Sequence, residues 1–114
     1  MKMEDTVNVY IVGCAERVPV SGKVFGPIAI THTVYGMDGD TVIEGDTFEI
    51  TLCATGHSVL AHLKQRKALK LAKEMHAWEE WKALDADPQK AMKDFAFMRA
   101  LRDKVYALRD EVAQ

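Results

Sequence analysis

Five cations and no carboxylate stand together in residues 57–73, HSVLAHLKQRKALKLAK: Lys64, Arg66, Lys67, Lys70 and Lys73. No acid occurs between Glu49 and Glu74, whereas residues 1–56 carry eight acids against three bases and the net charge is −2. A one-signed island in a mildly acidic chain suits docking on a polyanion or on the acidic surface of another protein; a solvated helix face would show the same pattern. Cations at a helix start oppose the macrodipole, so helix stability alone does not account for Lys64 and Arg66. An isoelectric point near 6.1 and the lack of a glycine-aromatic strand for stacking bases weigh against nucleic acid. A protein partner is therefore the leading expectation, with a nucleic-acid-binding accessory protein using strip 64–73 as the alternative. In HAWEEWKAL (76–84), Trp78 and Trp81 are three apart and can share a helical face. Trp78 falls on the buried stripe. Trp81 falls at its edge, where an exposed tryptophan would serve as a binding hot spot and a covered one as core. Trp81 joins the five cations as a candidate partner contact.

Other chemistry has little support. Cys53, His57 and His62 lie close in sequence, but no HExxH, CxxC or fourth ligand accompanies them, so no metal is expected. A thiol nucleophile needs an activating base and a depressed pKa, and neither Cys14 nor Cys53 opens a predicted helix. Both cysteines are expected as free thiols. The acids Asp38, Asp40, Glu44, Asp46 and Glu49 cluster in turns and on a sheet edge, where turn chemistry explains them. No glycine-rich phosphate motif is present. The expectation is a non-enzymatic protein without cofactors.

The elements that position these residues divide near residue 64. Residues 6–12 (TVNVYIV) read as a strand. Residues 15–27, with Pro19, Gly22, Gly26 and Pro27, read as a loop with at most a short edge strand. From Ile28, alternation through Ile30, His32 and Val34 predicts a strand that turns at Asp38-Gly39 and returns with Val34 opposite Ile43. The phase slips at Gly45-Asp46, which predicts a bulge or kink. A two-residue turn at Thr55-Gly56 would pair Leu52 with Val59, Ile50 with Ala61 and Phe48 with Leu63, leaving Glu49 to meet His62 on the other face. A longer bulged turn is the alternative, because Thr-Gly is a weaker turn former than Asn-Gly. Residues 58–63 could instead begin the helix. A helix is predicted over 65–84 from the stripe Ala68, Leu71, Ala72, Met75 and Trp78. Asp87 then caps, with Pro88 at the first position, a helix over 88–112. Its seam is Met98, Leu101, Val105, Leu108 and Val112, continued upstream by Ala91 and Phe95.

The run 48–76, FEITLCATGHSVLAHLKQRKALKLAKEM, resembles small bacteriophage and prophage accessory proteins, in which a strand, a Thr-Gly turn and a second strand lead to a lysine/alanine-rich helix. The resemblance covers about a quarter of the chain. It implies a non-enzymatic protein that modulates a host or phage complex, a class that includes anti-CRISPR inhibitors, and it carries over no site residue.

The chain is thus expected to be one α+β domain over 1–114, β-rich in 1–63 and helical in 64–114. An antiparallel meander of four to five strands would carry two C-terminal helices on one face. The covered face would hold Ile30, Val34, Ile43, Phe48, Ile50, Leu52, Val59 and Leu63. The helical side would supply Met75, Trp78, Phe95, Met98, Leu101, Val105 and Leu108. Without a long apolar run or a signal-peptide shape, the expected location is cytoplasmic, away from membranes. Helix 88–112 would suit a monomer or a homodimer.

Overall fold

Period-2 alternation at the start and 3.6-residue alternation at the end produce a five-stranded antiparallel sheet followed by helices in the computed structural model, which describes residues 1–112. The strands are β1 (Asp5–Val9), β2 (Val18–Phe25), β3 (Ile28–Asp38), β4 (Thr41–Leu52) and β5 (Ser58–Leu63), ordered in space as in sequence. The helices are α1 (Gln65–Met75), α2 (Glu80–Ala86), α3 (Pro88–Lys93) and α4 (Phe95–Glu111). Residues 58–63 are strand, so the helix does not begin before Gln65. No helix of the described residues is long and apolar enough to cross a membrane.

Segment 15–27 is the largest departure in the sheet. Instead of a loop or edge strand it holds the eight-residue β2, whose first half pairs with β1 and second half with β3, Gly22 having partners on both sides. Val18 and Val20 point with Val7 and Val9 into a second apolar cluster, which outweighs the proline and glycine punctuation. Gly22 has a steric role here. A Cβ on it would lie 2.7 Å from the Ile30 carbonyl oxygen and 2.8 Å from Val7 Cγ2, so the bare backbone lets three strands approach closely. The sheet curls until the Tyr10 amide, just past β1, donates to the Gly56 carbonyl in the β4–β5 loop at 2.9 Å.

Curling buries both faces. One face packs Ile28, Ile30, Ile50, Leu52, Leu60 and Leu63 against Ala68, Leu71, Ala72 and Met75 of α1 and against Trp81, Leu84, Leu101 and Val105 further on. The other face gathers Val7, Val9, Ile11, Val20 and Ala29. Threonines that alternation assigns to solvent lie on this second face, where Thr31 and Thr51 are fully buried and share a hydrogen bond of 3.1 Å. Val34 belongs to this cluster, not to the helix-covered face, and Ile43 is exposed.

Registers differ from expectation wherever an extra residue enters. Asp38 pairs with Thr41, so the tight turn is centred on Gly39-Asp40 and Ile43 meets Gly36 rather than Val34. The expected bulge is present: residues 45–47 bow out opposite Thr33, between the pairs His32–Phe48 and Val34–Glu44. Phe48 pairs with Leu63 as read, but Ile50 pairs with Leu60 and Thr51 with Ser58. The connection is longer than two residues, with the Leu52 amide donating to the His57 carbonyl. Two register shifts follow along β5, where His62 takes a left-handed φ of 59°.

Both long helices are broken. The first stops at Met75 and resumes at Glu80. The second stops at Lys93 and restarts at Phe95, because Asp94 is itself an N-cap whose Oδ1 accepts from the Phe97 amide at 3.0 Å. That restart turns Phe95 out to 87% exposure and brings Phe97 to the core instead. Asp87 caps α3 as read, accepting from the Lys90 amide, with Pro88 at the first position.

Candidate functional site

The basic surface is built by α1. Its inner side is fixed by Ala68, Leu71, Ala72 and Met75, all fully buried against the sheet. At about 100° per residue, Arg66, Lys70 and Lys73 fall within an arc of roughly 60° on the opposite side, all exposed, with Lys64 exposed at the N-cap. Lys67 does not belong with them. It lies about 60° to 100° from Arg66 and Lys70, at the border of the packed stripe, and is only 8% exposed. Its stem packs along the core boundary, so the expected strip Lys67–Lys70–Lys73 is replaced by Arg66, Lys70 and Lys73.

Two features accompany this arc. Among the described residues the ion pairs are Lys82–Glu79, Arg102–Asp103, Lys104–Glu80 and Arg109–Asp110, and none draws a cation from α1. The helix also starts without help: Lys64 makes no side-chain cap and the first turn holds no acid. Open backbone N–H groups, a positive dipole end and two nearby cations favour an incoming carboxylate or phosphate and do nothing for α1 by itself.

Trp81 is not part of any exposed surface. The break at residues 76–79 carries it inward to 1% exposure, where its indole Nε1–H donates to the Met75 carbonyl at 2.6 Å. Trp78 is half-buried, stacked on Trp81 with ring centroids 6.0 Å apart, and Lys104 Nζ lies 4.3 Å from the Trp78 ring centre.

Cys53, His57 and His62 face three different neighbourhoods. His57 stacks on Tyr10 at 4.6 Å, His62 lies against Tyr35 at 5.9 Å, and Cys53 borders the second apolar cluster. Among the described residues no three histidine, cysteine or acidic side chains are grouped to hold a metal ion. Burial pushes the Cys53 thiol up, and the Asp85 carboxylate adds to this against a smaller opposing effect of Arg17, which is the wrong direction for a thiolate. Cys14 and Cys53 are both free. Glu49 does not meet His62. It is buried, and its Oε1 accepts from the Val34 amide at 2.8 Å, repairing the ladder where β4 bulges.

No family model, characterised protein or solved structure matches this chain.

Proposed function

We propose that the protein is a non-enzymatic binding protein, inhibitory in kind, that docks through α1 on an acidic surface of a macromolecular complex. The observation that carries this reading is the set of four exposed cations, Lys64, Arg66, Lys70 and Lys73, which enter no ion pair among the described residues and are displayed on a helix whose other side is locked into the core. A rigid helix loses little entropy on docking, which is what a recognition surface needs. The likeness of residues 48–76 to small phage accessory proteins supports a host complex as the target, anti-defence inhibition included. Nucleic acid is the second reading, favoured by the uncapped helix start, which would receive a phosphate as readily as a carboxylate.

One experiment separates them. Fluorescence anisotropy against single- and double-stranded oligonucleotides, at low and near-physiological salt, is compared between the wild type and the triple variant Arg66→Glu, Lys70→Glu, Lys73→Glu. Four phosphate contacts predict a log–log salt slope of about −3.6 on duplex DNA, a loss of roughly a hundredfold between 50 and 200 mM salt. That slope, abolished in the variant, would establish the nucleic-acid reading. With no oligonucleotide binding at low salt, affinity capture from a bacterial lysate is expected to retain a partner on the wild type and release it from the variant. A variant that keeps every interaction of the wild type would refute α1 as the docking surface.

A further inference from the structure

α4 turns one face to the core and the opposite face to solvent. Leu101 and Val105 are buried and Met98 is half-buried against the core, so the apolar seam that would suit a dimer is taken up inside the protomer. At about 100° per residue, Phe95, Arg99 and Asp103 fall on the other side within an arc of roughly 80°, and all three are exposed. Ala96, Ala100 and Ala107 beside them are exposed as well. Phe95, Ala96, Arg99, Ala100 and Asp103 line one shallow depression. Neither Phe95 nor Arg99 is accounted for within the protomer. The cap that starts α4 joins the Asp94 carboxylate to the Phe97 amide and asks for no aromatic at position 95, which is 87% exposed. Arg99 enters no ion pair among the described residues. Asp103 is paired with its sequence neighbour Arg102 at 3.4 Å, a long contact between positions that do not face each other on a helix.

This face complements a copy of itself. In a two-fold interface each contact occurs twice, residue i on j and j on i. Two antiparallel α4 helices crossing at the level of residue 101 would set Arg99 of each copy against Asp103 of the other, and Phe95 against Ala107. Opposite charges then meet on both sides of the axis, and each exposed ring meets a small residue, which lets the helices approach to about 8–10 Å. A parallel pairing would set Arg99 on Arg99 and Asp103 on Asp103. A partner surface of a single charge sign would be repelled by one of the two.

We propose that the outward face of α4 is an antiparallel, two-fold interface with a second copy of this chain, with Arg99–Asp103 pairs flanking the axis and Phe95 at each end. It shares no residue with the α1 surface and does not rest on docking there. An overlap from residue 95 to residue 107 is about 18 Å long. It buries less than the roughly 1,200 Å² of a standard interface, so the dimer is a weak one, with a dissociation constant on the order of 100 µM.

The test is sedimentation equilibrium of the whole protein from about 10 µM to about 1 mM, with circular dichroism to confirm that each variant is folded. The wild type should pass from monomer to dimer across this range. Arg99→Glu and Asp103→Arg, both at exposed positions, each place like charges across the axis, so each alone should weaken association about tenfold or more. Mixed in equal amounts, the two variants regain opposite charges at both contacts and should associate as the wild type does. That rescue requires residue 99 of one copy to face residue 103 of the other. Phe95→Ala should weaken association about threefold or more without touching the charges. A wild type that stays monomeric throughout, single reversals that change nothing, or a mixture that associates no better than its components would overturn the proposal.

Discussion

Replacing Trp81 separates a core tryptophan from a surface hot spot by stability alone. The side chain is 1% exposed, and truncating such a group to alanine costs about 3–5 kcal/mol. A domain of this length holds roughly 6–17 kcal/mol in total, so Trp81→Ala should remove between about a fifth and most of the stability. Trp81→Phe is the more discriminating change. The Met75 carbonyl that accepts the indole N–H at 2.6 Å also accepts the Trp78 amide at 3.0 Å, so the substitution does not orphan a buried acceptor. What is lost is one net hydrogen bond, about 1 kcal/mol, and part of a ring's buried area, about another 1 kcal/mol. At roughly 4 °C per kcal/mol for a chain of this size, the melting temperature should fall by about 8 °C for Trp81→Phe and about 16 °C for Trp81→Ala. Trp78→Phe should cost less than either, since Trp78 is half-buried and its contact with Lys104 is worth about 0.5–1 kcal/mol. Circular dichroism melts and urea titrations of the three variants give the ranking. If Trp81→Ala melted within about 2 °C of the wild type while losing a partner, the inward placement of Trp81 would be wrong.

Gly56→Ala should destabilise by about 2–4 kcal/mol, because φ is +78° and the new Cβ would lie 2.6 Å from both the Asn8 carbonyl oxygen and the Tyr10 amide nitrogen. Gly26→Ala is the control: its φ is +57° but no atom lies within 4 Å, so only the backbone cost of about 1 kcal/mol applies. Thermal melts should rank the two, and hydrogen exchange should show lost protection at the Tyr10 amide in Gly56→Ala alone. Glu80→Gln tests the tie between α2 and α4. The Lys104 ammonium, hydrogen-bonded to Glu80 at 2.9 Å, holds that carboxyl below its ordinary value near 4.5. A depressed folded pKa contributes stability that is present above the unfolded value and lost as pH falls through the folded one. Glu80→Gln should therefore be less stable than the wild type at neutral pH, by under about 1 kcal/mol for so exposed a pair, and urea midpoints should converge in strong acid.

Four of the five strands were legible because alternation is a local signal, β2 being hidden by its proline and glycine. The Asp87-Pro88 helix start was legible because its capping chemistry is local too. The Asp94 cap used the same chemistry, yet the 3-4 spacing runs through it without interruption and masks the restart. Nothing local marks the break at 76–79. It is held by Trp81 reaching back to Met75, a contact that exists only once the chain has folded. Register failed for a related reason. The bulges at 45–47 and at His62 are set by curling, which no short pairing rule contains. Thr31 and Thr51 misled most, because alternation of isoleucine and threonine reads as inside and outside when it is in fact two insides, one of them hydroxyl-paired. On and beside α1, the exposure expected of Lys64, Arg66, Lys70 and Lys73 is seen. Lys67 is the exception, since its angle on the helix puts it at the edge of the packed stripe.

The breaks in the helices and the curl of the sheet are one phenomenon. Straight helices over 65–84 and 88–112 would span about 30 Å and 37 Å, nearly the full 37 × 33 Å breadth of a molecule only 19 Å thick. A rod of that length can touch a curled sheet only over part of its run, leaving apolar stripes in water. Four helices, three of them short, follow the curvature, and each restart needs its own end: Asp87 and Asp94 supply caps, and Trp81 supplies an anchor. α1 has neither a side-chain cap nor an acid in its first turn, and its exposed cations stand outside the ion pairs among the described residues. α3 and α4 open on capping acids and α2 carries Glu80 in its first turn, so α1, with Lys64 and Arg66 at an uncapped start, is the helix that an outside anion would complete under the proposed docking.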